Sequence, residues 1–432
     1  MLRLTQRSFA NLKQAYEISS LGKNKLPGFY SKDSKAAYLQ YLAKNGSSAL
    51  RLQHFKPIYN TKKALGYFGK ERSSDIEISN LGIGTYLGDP TVDDDIKTFK
   101  AIEAAINGGI NFIDTAANYR YGKSERVIGA VLQHLSQTQA LDRSSIFLAS
   151  KIGYITPDPD FQLSESDIIG QCLNFAKSYS GKNAETIKSL METDFIAESH
   201  AIHPGYLAFQ LERSLRNLNV ETLDLLYLHN AAETRLPIVK KEKFFDELKR
   251  AFEYLELARE ENKIKFYGLA TWNCFRAKID EEGIYLSMQE IGELAKEVGG
   301  ETNGLRFIQF PMNLIMHEAY TMKWQKVRLD NSELVMMKAL EAAQYFGFNV
   351  ITSAPLMQTY ALQLELPFKE LGLKSNAQAH LQLMRSMPAE SLKSTLVGFK
   401  SPEHIAENLA LLNYPVLDVQ TFNKFIMSLG MH

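Results

Sequence analysis

Cysteine is scarce: the 432 residues contain two, Cys172 and Cys274. A pair this sparse offers neither a disulfide framework nor a metal-ligand spacing, and it points to a reducing compartment. Long hydrophobic runs are missing as well. No stretch of about 18 apolar residues occurs, so no membrane-spanning helix is expected. Neither sign of charge is in excess, because 49 Lys and Arg face 49 Asp and Glu. A nucleic-acid footprint is therefore not expected. What is present is an ordinary globular composition, 45% hydrophobic and 11% aromatic. That is enough apolar material for one large core or two modest ones.

The balanced charge is unevenly spread. Up to residue 35 the basic residues are Arg3, Arg7, Lys13, Lys23, Lys25, Lys32 and Lys35, against Glu17 and Asp33. The opening MLRLTQRSFANLKQAY sets its arginines among Leu, Phe, Ser and Thr, with no acid before Glu17. Mitochondrial targeting segments have this pattern. The alternative is a basic, loosely ordered tail on a cytoplasmic protein. Residues 1–75 are read as a basic N-terminal extension and a candidate docking segment for a protein partner. Residues 76–432 are read as the folded body.

From Ile78 onward, short β-like runs alternate with helical patterns. The runs begin near Ile78 (ISNLGIGTY), Asn111 (NFIDTA), Ser145 (SIFLASK), Thr222 (TLDLLYLH), Ile264 (IKFYGLAT), Leu305 (LRFIQFP), Phe348 (FNVITSAP) and Ser394 (STLVGF). Amphipathic stretches at 95–108, 124–135, 206–218, 243–260, 284–297, 333–346, 375–387 and 402–412 lie between or after them. In 206–218, Leu207, Leu211, Leu215 and Leu218 recur at helical spacing. Continuous apolar runs suit parallel strands covered by helices. Eight β-then-α units predict an α/β protein, a closed (β/α)8 TIM barrel rather than an open doubly wound sheet. A dinucleotide fold would want G-x-G-x-x-G opening a helix, whereas LGIGTYLGD leads into a loop.

The interval from Ser145 to Thr222 is nearly double its neighbours. It places an insertion, about 155–203, in the third βα-loop, on the face where barrels build active sites. The loop after the sixth run (312–332) also looks extended and apolar, and reads either as a lid or as ordinary packing.

Four polar residues fall on that same face. Asp114 ends the second run, Tyr119 follows five residues later, Lys151 ends the third run and His229 ends the fourth. One such residue alone reads as a cap or a solvated edge; four on consecutive units read as a site. A phenol has a reference pKa of about 10, so Tyr119 needs tuning to act near neutrality. A nearby Lys151 ammonium would lower that value. Asp114 would neutralise the buried lysine, and His229 could donate a hydrogen bond to a substrate carbonyl. The set supplies acid, tuner, counter-ion and electrophilic aid, and leaves a hydride carrier to be added. No His-x-His or His-x-x-x-His spacing accompanies it, so no metal is expected.

These segments resemble the aldo-keto reductase family. The resemblance is carried by LGIGTYLGD, GGINFIDTAANYRYGKSERVIGAVL, IFLASKIGY and QLERSLRNLNVETLDLLYLHN, followed in family order by YGLATWNC, RFIQFPMNL, VITSAPLMQ and TLVGFKSPEHIAENL. It covers roughly 76–413, and the enlarged third loop with HPGYLAFQLERSLRNL resembles the extended-loop, potassium-channel-β-like branch. The resemblance implies NADP(H) as cofactor and reduction of a small-molecule carbonyl, with Tyr119 as proton donor and Asp114, Lys151 and His229 as its catalytic partners. It implies cofactor contacts at Gly84, Thr85, Asp114, Thr271, Gln309, Ser353, Pro355, Leu356, Gly398, Lys400, Ser401, Glu403, His404 and Asn408. Tyr86, Tyr154 and His229 would meet the substrate, and Phe310 and Met312 suggest an apolar or aromatic-lined pocket.

Three positions depart from the family pattern. Its carboxamide-binding Ser-Asn or Ser-Arg pair falls on Ala270 and Thr271, its stacking aromatic on Ser353, and its 2′-phosphate arginine on His404, leaving Lys400 as the remaining cation. These departures and the extension motivate a second reading, a non-catalytic or weakly active NADP-binding subunit of a larger assembly.

Overall fold

The fold is a barrel because each apolar run is buried on both faces. The computed structural model describes residues 25–45, 54–58, 76–158, scattered positions from 160 to 170, and then 200–281, 283–329, 331–398 and 402–430. The basic opening segment, Cys172 and most of the third-loop insertion lie outside the described residues.

Twelve strands are described: β1 (Phe55–Ile58), β2 (Ile76–Ser79), β3 (Leu81–Gly84), β4 (Phe112–Asp114), β5 (Phe147–Ile152), β6 (Leu223–His229), β7 (Ile264–Ala270), β8 (Leu305–Pro311), β9 (Gln325–Arg328), β10 (Leu334–Met337), β11 (Asn349–Ser353) and β12 (Leu392–Gly398). Eight of them close in the order β11-β12-β3-β4-β5-β6-β7-β8. Every neighbouring pair is parallel, and β3 against β12 seals the ring. All eight predicted runs supply one barrel strand each. The first run is divided: Ile76–Ser79 pairs antiparallel with Phe55–Ile58, and only Leu81–Gly84 joins the barrel.

The helices are α1 (Ser34–Lys44), α2 (Val92–Asn107), α3 (Lys123–Gln139), α4 (Pro204–Asn217), α5 (Ala231–Arg235), α6 (Lys241–Glu260), α7 (Met288–Gly299), α8 (Glu318–Thr321), α9 (Ala339–Phe346), α10 (Asn376–Ser386), α11 (Pro402–Ala410) and α12 (Val419–Ser428). Their starts follow capping chemistry. Thr91, Ser287 and Ser375 each accept from a backbone N–H three residues on, and Pro204 opens α4. No helix among the described residues is long and apolar enough to cross a membrane.

One helical expectation fails in part. The 333–346 stretch becomes a helix only from Ala339, because Leu334–Met337 pairs antiparallel with Gln325–Arg328. Those four residues alternate between more and less exposed positions, which is strand periodicity. The loop after β8 thus holds a short helix and a hairpin.

Two apolar layers hold the molecule together. Inside the barrel, Phe112, Phe147, Leu225, Tyr227, Phe307 and Leu396 form one cluster, joined by Tyr30, Ile58, Ile76 and Ile78. The antiparallel β1–β2 pair and Tyr30 therefore close the floor of the barrel. A larger cluster lies between strands and helices.

The described parts of the N-terminal extension lie against this body. Tyr30 N–H donates to Asp224 Oδ1 at 2.6 Å, and the Tyr30 hydroxyl donates to the Glu77 carbonyl at 2.6 Å. Tyr38 is fully buried and gives its hydroxyl proton to the Ile106 carbonyl. Truncating a buried aromatic removes its transfer free energy and leaves a cavity. Tyr38→Ala is therefore expected to destabilise the full chain by about 3–5 kcal/mol in urea unfolding. A loss too small to measure would show that α1 does not contribute to the stability of the barrel.

Candidate active site

The C-terminal strand ends collect most of the residues singled out in the sequence. Register places Gly398 beside Gly84 and Gly84 beside Asp114, with Lys151 beside Tyr227, His229 beside Ala270 and Ala270 beside Gln309. These positions share the mouth because parallel strands all end on the same face.

Lys151, fully buried on β5, links three acceptors. Its Nζ bonds Asp114 Oδ1, the Thr115 carbonyl at 3.0 Å and the Tyr119 hydroxyl oxygen at 3.3 Å. Three acceptors match the three donors of an ammonium, whereas a neutral amine would have only two. The Nζ lies 4.9 Å from the Tyr119 ring centroid. Asp114 is completed by Gln309, whose Nε2 donates to Oδ2 at 2.8 Å.

Tyr119 sits on a tight turn, Tyr119–Gly122, whose next two residues are both left-handed: Arg120 at φ 52° and Tyr121 at φ 57°. Non-glycine residues in that region cost on the order of 1–3 kcal/mol each. The buried Arg120 guanidinium holds the turn by pairing with Asp95 and donating to the Asp89 carbonyl at 2.9 Å. Tyr86 stands edge-on to Tyr119 at 5.2 Å, and His229 does so from another side at 5.9 Å.

Burial governs the protonation states. It pushes the Asp114 carboxyl above the usual carboxylate range, against the pull of Lys151 and Gln309. For Lys151, burial acts downward but is outweighed by Asp114 and Tyr119, so the ammonium ends above its ordinary value. For Tyr119 the net shift is opposite in sign to the one Lys151 alone would produce. Lys151 acts downward, yet desolvation is larger and Asp114 opposes it, so the net shift is upward. The phenol therefore keeps its proton near neutrality. His229 moves well below its ordinary value through burial, then Lys151 and His200, and is a neutral imidazole.

The remaining predicted residues are distributed around this centre. Thr85 donates through Oγ1 to Thr115 Oγ1 at 2.8 Å, and its carbonyl accepts from Ser124 at 3.0 Å. Thr271 Oγ1 donates to the Gln309 carbonyl at 3.1 Å. The Ser353 carbonyl accepts from Met312 N–H at 3.0 Å, and a left-handed Ala354 then turns the chain into Pro355 and Leu356. A Cβ at Gly398 would meet Leu87 Cδ1 at 2.8 Å. On α11, His404 is exposed and Asn408 is buried. Lys400 and Ser401 lie outside the described residues, as does the side chain of Glu403.

Phe310 and Met312 do not line the mouth. Strand alternation that turns Gln309 inward sends Phe310 outward, and both Phe310 and Met312 are fully buried in the layer beneath the helices. Sequence reasoning missed His200 and Asn230. Asn230 Nδ2 donates to the Tyr154 hydroxyl at 3.0 Å, and His200 Nε2 meets the His229 carbonyl at 2.6 Å. The only available signal for His200 was its place at the far end of the insertion, just before a Pro-started helix.

A model of the Aldo/keto reductase family matches residues 80–281 of this chain. Similar curated proteins include aldo-keto reductase str7 from Strobilurus tenacellus, 31% identical over 192 residues, which are 38% of this chain and 54% of that protein. Aldo-keto reductase AMT2 from Alternaria alternata is 27% identical over 178 residues, 40% of this chain and 43% of that protein. The chain thus spans about half the length of the curated relatives it matches. An aldo-keto reductase from Klebsiella pneumoniae solved in complex with NADPH aligns with TM-score 0.51 and 18% identity, over 82% of this chain and 92% of that one. A holo-form aldo-keto reductase from Bacillus halodurans aligns with TM-score 0.50 and 18% identity, over 82% and 94%. At these identities the structural likeness concerns the fold.

Two of the fully buried histidines, His54 and His200, make acid stability a test of this electrostatic arrangement. Burial lowers His54 to about 3 and His200 to about 4. Below the unfolded value of about 6.5, the unfolded chain binds protons that the folded chain does not. Stability should therefore fall as pH drops from about 6.5 toward 4, by about 1.4 kcal/mol per pH unit for each ring. Urea midpoints at pH 7, 6 and 5 check this, and a flat profile would rule out neutral burial of the two rings.

Proposed function

We propose that this chain is an aldo-keto reductase, an NADPH-dependent oxidoreductase reducing an aldehyde or ketone to the alcohol, with Tyr119 as proton donor; the family model matching residues 80–281 supports this reading. The observation that carries this reading is the buried Lys151 ammonium, bonded at once to Asp114, the Thr115 carbonyl and Tyr119.

The residues at the mouth fit NADPH. Two glycines, Gly84 and Gly398, stand side by side there without side chains. The start of α11 follows β12 at the eighth βα-turn, a place where free backbone N–H groups favour phosphate. Gly398, Lys400, Ser401, Glu403, His404 and Asn408 would hold the phosphate and adenosine end. Gly84, Thr85, Asp114, Thr271, Gln309, Ser353, Pro355 and Leu356 would hold the nicotinamide end. When bound, NADPH supplies the hydride that reduces the carbonyl carbon.

This chain's own residues handle the oxygen and its proton. The neutral His229 imidazole can give a hydrogen bond to the carbonyl oxygen and fix its orientation. Tyr119 enters protonated and gives its proton to that oxygen as negative charge develops. The phenolate left behind lies within 3.3 Å of the Lys151 ammonium, which stabilises it. Asp114 and the Thr115 carbonyl keep Lys151 in place during this exchange of charge. Tyr86 and Tyr154 supply ring faces and edges for the substrate beside Tyr119 and His229. The basic opening segment supports a mitochondrial location as part of the same proposal.

Turnover of a panel of simple aldehydes by the full chain with NADPH tests this reading. Tyr119→Phe should lower kcat by about 10²–10⁴-fold while leaving NADPH affinity unchanged. Turnover that is indifferent to this substitution would overturn the assignment of Tyr119. NADPH binding with no turnover by the unmodified chain would favour the alternative, a non-catalytic NADP-binding subunit.

A further inference from the structure

The insertion in the third βα-loop returns to the barrel mouth at His200, which is fully buried. Its Nε2 lies 2.6 Å from the His229 carbonyl oxygen. A carbonyl can only accept, so the proton sits on Nε2, while Nδ1 is buried without a partner among the described residues. At the near end of the insertion, Tyr154 pairs with His200 in an antiparallel bridge. The Tyr154 ring stands edge-on to both imidazoles, 5.0 Å from His200 and 5.1 Å from His229. Asn230 anchors its hydroxyl, and Gln210 Nε2 donates to its carbonyl at 3.1 Å. Gly153 makes room for this contact, since with φ 137° any Cβ there would run into the His200 ring.

His229 needs such support. It is the last residue of β6, its Nδ1 is buried without a partner among the described residues, and the chain turns left-handed at Asn230 immediately after it. No described residue sets the ring plane by a hydrogen bond to Nδ1; the Tyr119 and Tyr154 rings flank it. We propose that His200 is a positioning residue for His229: it ties down the His229 carbonyl at the end of β6 and seats the Tyr154 ring against the His229 imidazole. The two ends of the insertion thereby set the orientation of a group in the site. This rests on the reading of His229 as the residue that orients the substrate carbonyl.

His200→Leu and His200→Gln in the full chain separate the donated hydrogen bond from simple filling of space. With NADPH and a simple aldehyde, H200L should lower kcat by about 10–100-fold with NADPH affinity unchanged. H200Q keeps an N–H at similar reach and should recover to within about threefold of the unmodified chain. If H200L does not fold, H200N, which is polar but too short to reach the carbonyl, takes its place. A two-bond ¹⁵N–¹H spectrum reads the imidazole without turnover: the His229 resonances should shift in H200L and return in H200Q. Equal losses in both variants, or an H200L protein matching the unmodified one in rate and spectrum, would overturn the proposal. An inactive unmodified chain whose His229 resonances still respond to H200L would instead overturn the reductase reading and leave the positioning role standing.

Discussion

Lys151 carries a full charge into a part of the barrel shielded from water, and the surrounding structure is arranged to make that tolerable. An unpaired buried ammonium would be lost to deprotonation or unfolding. Asp114 supplies the counter-charge from the neighbouring strand, the Thr115 carbonyl accepts a second hydrogen bond, and the Tyr119 hydroxyl oxygen accepts the third. Gln309, from β8 on another side of the barrel, completes the carboxylate. The requirement to satisfy one cation thus ties β4, β5 and β8 to the loop that bears Tyr119.

That loop and the insertion are held by buried charges of their own. Arg120 pairs with Asp95 under the Tyr119 turn. Arg126 and Arg213 converge on Asp158 at 2.9 and 2.8 Å, and all three side chains are buried. Asp158 stands just after Tyr154, so this cluster anchors the start of the insertion where it leaves β5. Pairs of this kind contribute little net stability compared with apolar packing, but breaking one leaves an uncompensated charge. Their effect here is geometric: they fix where Tyr119 and Tyr154 stand relative to Lys151 and His229.

Much of this was legible in the linear chain, for identifiable reasons. Strands covered on both sides must be continuously apolar, so NFIDTA, SIFLASK and TLDLLYLH announced themselves, and their terminal Asp114, Lys151 and His229 marked the mouth. The division of the first run was not legible, because ISNLGIG is apolar whether it lines the floor pair or the barrel. Leu334–Met337 misled for a related reason: four residues fit strand or helix, and the partner at Gln325–Arg328 decided. Phe310 and Met312 looked like pocket residues until the alternation through Gln309 assigned them to the outer layer.

Sequence by itself determined the number of βα-units, the unusual length of the third loop and the identity of the four polar residues at strand ends. These follow from local periodicity and residue type, which the chain carries along its length. Tertiary structure decided the protonation and support of those residues. Whether the Tyr119 phenol ends above or below its ordinary value depends on how desolvation compares with the pull of Lys151, and desolvation is larger. Whether anything steadies His229 depends on His200 returning from the far end of a long insertion to meet it. Both outcomes are sums over neighbours brought together by chain closure, and no spacing in the sequence encodes them.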